Sequence, residues 1–165
     1  MIFLGIDPGL ATVGFGAIEA IDGQVRFLDA GVFETPAHSD LGERLDSIRT
    51  DFIQILQELK PDVIGMEELY FAQNTASALK VAHARGVLVQ VAFEHGIPLL
   101  ALTPLQIKQN ITGDGHADKW QVQEMVKRLL KLPAAPQPDD AADGVAIAMC
   151  TERIYASQLP HTLKP

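Results

Sequence analysis

A single cysteine, Cys150, in a chain of 165 residues rules out an internal disulfide. The five histidines do not repair the lack, because none of them sits at ligand spacing to the cysteine or to one another, so a Cys/His zinc centre is excluded as well. Cys150 lies in the apolar stretch VAIAMC and reads as a buried structural thiol, which fits a reducing compartment. Long apolar runs are also missing. The apolar start, residues 1–6, is broken by Asp7 well short of a signal-peptide core, and no later run reaches membrane-spanning length. A soluble, cytoplasmic protein without a membrane partner is expected. Basic residues are in deficit, 13 Lys and Arg against 21 Asp and Glu, for a net charge of −8, which excludes a uniformly basic nucleic-acid binder. The charge is uneven, however. Residues 80–131 carry 7 basic against 4 acidic side chains, and a phosphate responds to the field where it makes contact. There is no internal repeat and no low-complexity tract. At this length one domain is expected, residues 1–156, with 157–165 as a flexible tail.

What is present is a regular alternation of elements. IFLGID ends in Pro-Gly, and VGFGAIEAI and QVRFLDAGVFE flank an Asp-Gly pair, the strongest short hairpin signal. Three strands in an antiparallel meander follow from this. Leu41, Leu45, Ile48, Phe52, Ile55, Leu56 and Leu59 recur at steps of three and four, which predicts an amphipathic helix over 40–59 with Asp40 or Ser39 as cap. VIGMEE reads as a short buried strand parallel to the first, since a helix makes the crossover. Residues 74–95 form a helix apolar over more than one face, suited both to the core and to pairing two copies of the chain. IPLLAL, over 97–102, is a fifth strand, and Thr103-Pro104 opens a short helix. A further amphipathic helix carries Trp120, Val122, Met125, Val126, Leu129 and Leu130, and a last helix covers 139–154. The order β β β α β α β α predicts a mixed five-stranded sheet flanked by helices, an α/β architecture of the ribonuclease H-like kind.

The chemistry sits where apolar runs end in acids. Asp7 closes the first strand, Glu67 and Glu68 close the fourth, and Asp139, Asp140 and Asp143 open the last helix. Carboxylates gathered without Cys or His call for a hard, oxygen-seeking cation such as Mg²⁺ or Mn²⁺. Such a cluster would repel itself unless cations filled it, and two ions together can activate a water and stabilise a leaving 3′ oxygen. Asp7 is the expected bridging ligand, with Glu67, Asp143 and Asp140 completing the two shells and a nearby lysine stabilising phosphate charge. Glu68 reads as a solvated neighbour. Spacing alone does not choose between Asp139 and Asp140, because both share a helix face with Asp143, although Asp139 can also serve as the helix N-cap.

The blocks GIDPGLATVGFG, MEELYFAQNTASALKVAHARGV, TPLQIKQNITGDGHADKWQVQEMVKRLLKLP and DDAADGVAIA, in that order over residues 2–154, resemble the RuvC family of Holliday junction resolvases. The resemblance implies catalytic, metal-holding acids at Asp7, Glu67, Asp140 and Asp143, and it is what selects Asp140 over Asp139. It implies basic catalytic and DNA-binding positions at Lys119 and Lys108. It also implies a base-stacking aromatic at Tyr70, where the family more often has phenylalanine. Asn74, Lys80 and Arg85 are expected along the DNA backbone, Asn74 being equally suited to capping its helix. The family implies a homodimer acting with Mg²⁺ or Mn²⁺, two ions per site, on four-way DNA junctions. Two strands of like polarity are nicked, leaving 5′-phosphate and 3′-hydroxyl ends, in recombination and repair alongside a branch-migration motor of the RuvA and RuvB type. The chain stops without an extended basic tail, so DNA affinity is expected to rest on residues 80–131. His116, in the glycine-rich loop near Lys119, is the one histidine worth testing.

Two other classes share parts of this pattern. Actin-like kinases and chaperone ATPases open with a similar strand and aspartate, but enclose their nucleotide between two domains, and this chain has length for one. A junction-binding or RNA-processing relative would keep the fold without resolving junctions, yet a complete set of unused buried carboxylates would be costly.

Overall fold

The computed structural model describes residues 1–68 and 75–158. Five strands, β1 (Ile2–Asp7), β2 (Thr12–Ile21), β3 (Gln24–Glu34), β4 (Val63–Glu67) and β5 (Leu99–Leu102), form one sheet in the order β3-β2-β1-β4-β5. The first three run antiparallel, while β4 pairs parallel to β1 and β5 parallel to β4. This is the mixed sheet the sequence predicts. The β2–β3 hairpin turns on Asp22 and Gly23, both at positive φ, as a tight two-residue turn requires.

Helices α1 (Leu41–Leu59) and α2 (Thr75–Glu94) cover one face of the sheet, and α3 (Pro104–Thr112), α4 (Lys119–Leu129) and α5 (Asp139–Gln158) cover the other. The period-two pattern of β1 explains the division. Leu4 and Ile6 join the core of Ile48, Phe52, Leu56, Leu88 and Val91, whereas Phe3 points to the core built on Val122, Val126, Ile147 and Cys150. Cys150 is fully buried, and burial pushes its thiol up to about 11, in keeping with a structural role.

Helix α5 lies almost on the backbone of the sheet. The strands present Gly5, Gly14, Gly16 and Gly65 to it, and a Cβ at Gly5 would strike the Gly144 carbonyl and one at Gly65 the Thr151 hydroxyl. Small residues of α5 itself, Ala141, Gly144 and Ala148, complete the close fit. Arg153, donating to the Asn110 carbonyl, ties α5 to the end of α3. Capping boxes set the entries of α3 (Thr103 with Gln106) and α4 (Asp118 with Gln121).

Several boundaries differ from expectation. The last helix continues through Ser157 to Gln158, past the predicted start of a flexible tail; residues 159–165 lie outside the described residues. Strand β5 begins at Leu99, after Pro98, which has no N–H to give the ladder. Asp40 occupies the N-cap of α1 without a side-chain cap bond. Trp120, assigned to the apolar face of α4, is instead 66% exposed. At two residues before Val122 it stands some 200° around the helix from that buried position.

Candidate active site

Parallel pairing of β1 and β4 brings their carboxyl ends side by side, so Asp7 and Glu67 emerge at the same edge of the sheet. The first turn of α5 approaches that edge over β2, where Gly14 underlies Asp140. Carboxylate oxygens of Asp7, Asp140 and Asp143 all lie within 4.8 Å of one another. Glu67 stands outside this trio and forms a side-chain hydrogen bond with Asp7. Four acids from three elements thus meet at one end of the sheet.

Their electrostatics follow from crowding in a partly dry place. Burial first, then the charges of Asp143 and Asp140, push the Asp7 carboxyl up to about 6. Burial and the charge of Asp7 push Glu67 up to about 7. The two acids hydrogen-bond each other and share a proton as a pair. Asp143 is also raised, burial outweighing the help it receives from Lys119.

Lys119 is the first residue of α4 and reaches the same cluster. Its Nζ lies 2.9 Å from Asp143, 3.7 Å from Asp139 and 4.0 Å from Asp140. Partial burial opposes its charge, but these carboxylates prevail and raise its pKa. A cleft of about 260 Å³ opens beside the acids, lined by the charged residues Glu67, Asp143, Lys108 and Lys119 and by Pro104, Ile107, Val122, Ala146 and Ile147. Lys108 also lowers the proton affinity of Glu67 across this space. Negative groups able to hold cations therefore face two ammonium groups able to hold an anion.

Of the other predicted positions, Arg85 is half-buried, and its Nε donates to the Glu67 main-chain carbonyl at 3.4 Å, so it bears on the end of β4 from α2. Lys80 is exposed on α2. Tyr70 and Asn74 lie outside the described residues. Glu68 is exposed, as expected of a solvated neighbour. The His116 main-chain N–H donates to the Asp114 carboxylate at 2.9 Å within its loop. Asp139 stands apart from the trio and contacts Lys119 alone among the site residues. Sequence reasoning treated Asp139 as a rival to Asp140 or as a helix cap; the basic first residue of α4 was the signal that could have given it a partner of its own.

The donor set suits a hard divalent cation: every ligand offered is a carboxylate oxygen, and three of them converge within bonding reach of a common centre. Among the described residues no helix is long and apolar enough to cross a membrane.

Comparison with known proteins agrees with this geometry. A family model described as "Crossover junction endodeoxyribonuclease RuvC" matches residues 3–151. The protein of that name from Clostridioides difficile (strain 630) is 43% identical over 164 residues, 99% of this chain and 96% of that protein. The one from Alkaliphilus oremlandii (strain OhILAs) is 47% identical over 150 residues, 91% of this chain and 92% of that protein. Among solved structures, Thermus thermophilus RuvC in complex with a Holliday junction substrate superposes with a TM-score of 0.87 at 35% identity, covering 94% of each chain. The yeast mitochondrial Holliday junction resolvase Ydc2 superposes at 0.68 with 19% identity, covering 93% of this chain and 80% of that one, a likeness of fold.

Proposed function

Since the chain belongs to the RuvC family of crossover junction endodeoxyribonucleases, we propose that it resolves four-way DNA junctions by hydrolysing two phosphodiester bonds symmetrically, leaving 5′-phosphate and 3′-hydroxyl ends. The observation that carries this reading is the convergence of Asp7, Asp140 and Asp143 beside a cleft bearing Lys108 and Lys119. Phosphodiester hydrolysis needs these two kinds of charge together.

Asp7, Glu67, Asp140 and Asp143 would hold two Mg²⁺ or Mn²⁺ ions, which would polarise the phosphate and lower the pKa of the attacking water. The proton that Asp7 and Glu67 share would leave as cations bind. Lys119 stands next to the acids and Lys108 across the cleft, so both stabilise negative charge on the scissile phosphate. Tyr70 stacks on an opened base, and Asn74, Lys80 and Arg85 follow the sugar-phosphate backbone near it, Arg85 also bracing the end of β4.

A two-fold substrate calls for two sites, and the chain acts as a homodimer. Leu79, Ala82, Gly86, Val89 and Phe93 fall at steps of three and four along the outer side of α2, where Phe93 is 84% exposed and Gly86 has open space above it. Such a stripe pairs well with its own copy, the glycine allowing close approach. A branch-migration motor of the RuvA and RuvB type supplies the junction, and the work is done in the cytoplasm.

The test compares cutting of a mobile four-way junction and a matched linear duplex, with Mg²⁺ or Mn²⁺, by the wild type and by Asp7→Asn. Paired symmetric nicks confined to the junction, lost in the variant while binding survives, are expected. Equal cutting of the duplex would make the protein a general nuclease, and binding without any cutting would make it a junction-binding module.

A further inference from the structure

The first turns of α3 and α4 are built alike. In each the N-cap is fixed by a capping box, the first residue (Pro104, Lys119) lines the cleft, and the second is a large exposed apolar side chain. These second residues are Leu105, 56% exposed, and Trp120, 66% exposed. Leaving an indole in water forfeits the burial energy such a side chain normally contributes, and the capped turn fixes the backbone that presents it. The turn Lys119-Trp120-Gln121-Val122 carries one charge, positive, and Lys119 reaches the acids from it. Lys119, the residue before the indole, lines the cleft, so a polyanion held by its ammonium group lies one residue away from the exposed Trp120.

We propose that Trp120 is a DNA-contacting residue that stacks on an unpaired base of the strand seated at the cleft, and so contributes to preference for junctions over duplex. The inference rests on the junction-resolving function proposed above. Aromatic faces accept any base, because every base offers a π surface, and unstacked bases are available at an opened crossover but not in a continuous duplex. Position 120 combines a platform for the base with the neighbouring ammonium group for its phosphate. Leu105, on the matching turn of α3, is a second exposed apolar side chain, likewise next to a residue that lines the cleft.

Trp120 is the only tryptophan of the chain, so its emission reports this position alone. The full-length Asp7→Asn protein is titrated with a dye-labelled four-way junction, following tryptophan emission, acrylamide quenching and, separately, the anisotropy of the dye. Emission and acrylamide access are expected to fall in step with the anisotropy, and to change far less with a linear duplex at equal saturation. In the same background Trp120→Ala is expected to lose about tenfold in junction affinity, within the range for one stacked base, while Trp120→Phe retains most of it. Saturation by anisotropy with emission and quenching unchanged, or a Trp120→Ala protein that binds as tightly as its parent, overturns the inference and leaves the resolvase reading intact. A change in emission that follows protein concentration without DNA would assign the indole to a contact between copies and overturn it too. Failure of the junction to bind at all, seen in the anisotropy, removes the resolvase reading and this inference with it.

Discussion

Gly14 on β2 lies directly beneath the main-chain carbonyl of Asp140, with no room for a side chain between them. Through this contact the first turn of α5 sits low enough for Asp140 and Asp143 to reach Asp7 on the neighbouring strand.

Gly14→Ala is accordingly expected to lift the start of α5. The collision is with backbone, so the cost is that of overpacking, about 1–3 kcal/mol in thermal or urea unfolding. Junction cleavage should fall further, about a hundredfold, because displacement of a ligand-bearing turn by a fraction of an ångström spoils the site. Gly42→Ala on α1, where a Cβ meets open space, supplies the contrast: stability unchanged or raised by up to about 1 kcal/mol, with full activity. Equal loss of stability and activity in the two variants would refute the assignment.

The pH dependence of stability follows from Asp7 and Glu67, whose folded-state values of about 6 and about 7 lie above their ordinary 3.8 and 4.5. A raised carboxyl means that the folded form binds more protons than the unfolded one. In chelator, their contribution is therefore intact below pH of about 4 and is lost as pH rises through about 7. Melting curves in EDTA should show this decline, Mg²⁺ should reverse it most at and above neutral pH, and Asp7→Asn should flatten it. Calorimetry of Mn²⁺ binding near pH 6 in two buffers of different ionisation enthalpy should register proton release.

Lys119 separates catalysis from stability. Lys119 is itself about half open to water, so Lys119→Met should change unfolding free energy by no more than about 1 kcal/mol. The loss of junction cleavage should reach about 10²–10³-fold, the range for removing one group that stabilises developing charge. The single-turnover rate at saturating protein is the measurement; an unchanged rate would place Lys119 outside the chemistry.

Phe93→Asp tests the outer stripe of α2. An exposed position tolerates the charge within one chain, so circular dichroism should be unaltered. Paired copies would bury two like charges at their contact, so light scattering should report a monomer, and the two nicks of a junction should lose their coupling. A dimer of undiminished stability would move the interface elsewhere.

By itself the sequence determined everything that depends on neighbours along the chain. Apolar period, Asp22-Gly23 and the Thr103-Pro104 cap specify the elements and their order, and a helix between parallel strands brings Asp7 and Glu67 to one edge. The block resemblance added the family and its expected residues. Asp139 and Asp140 were beyond local reasoning, since both sit on the first turn of the same helix. Only the packing of α5 onto Gly14 turns Asp140 toward Asp7 and leaves Asp139 with Lys119. Arg85 was legible as a basic residue of α2 but not as one directed at the Glu67 carbonyl, and Trp120 counted as apolar whether it faced the core or solvent. Periodicity reports which residues share a face. Which face meets which element, and how closely, depends on backbone approach across the sheet, and that is decided by tertiary packing.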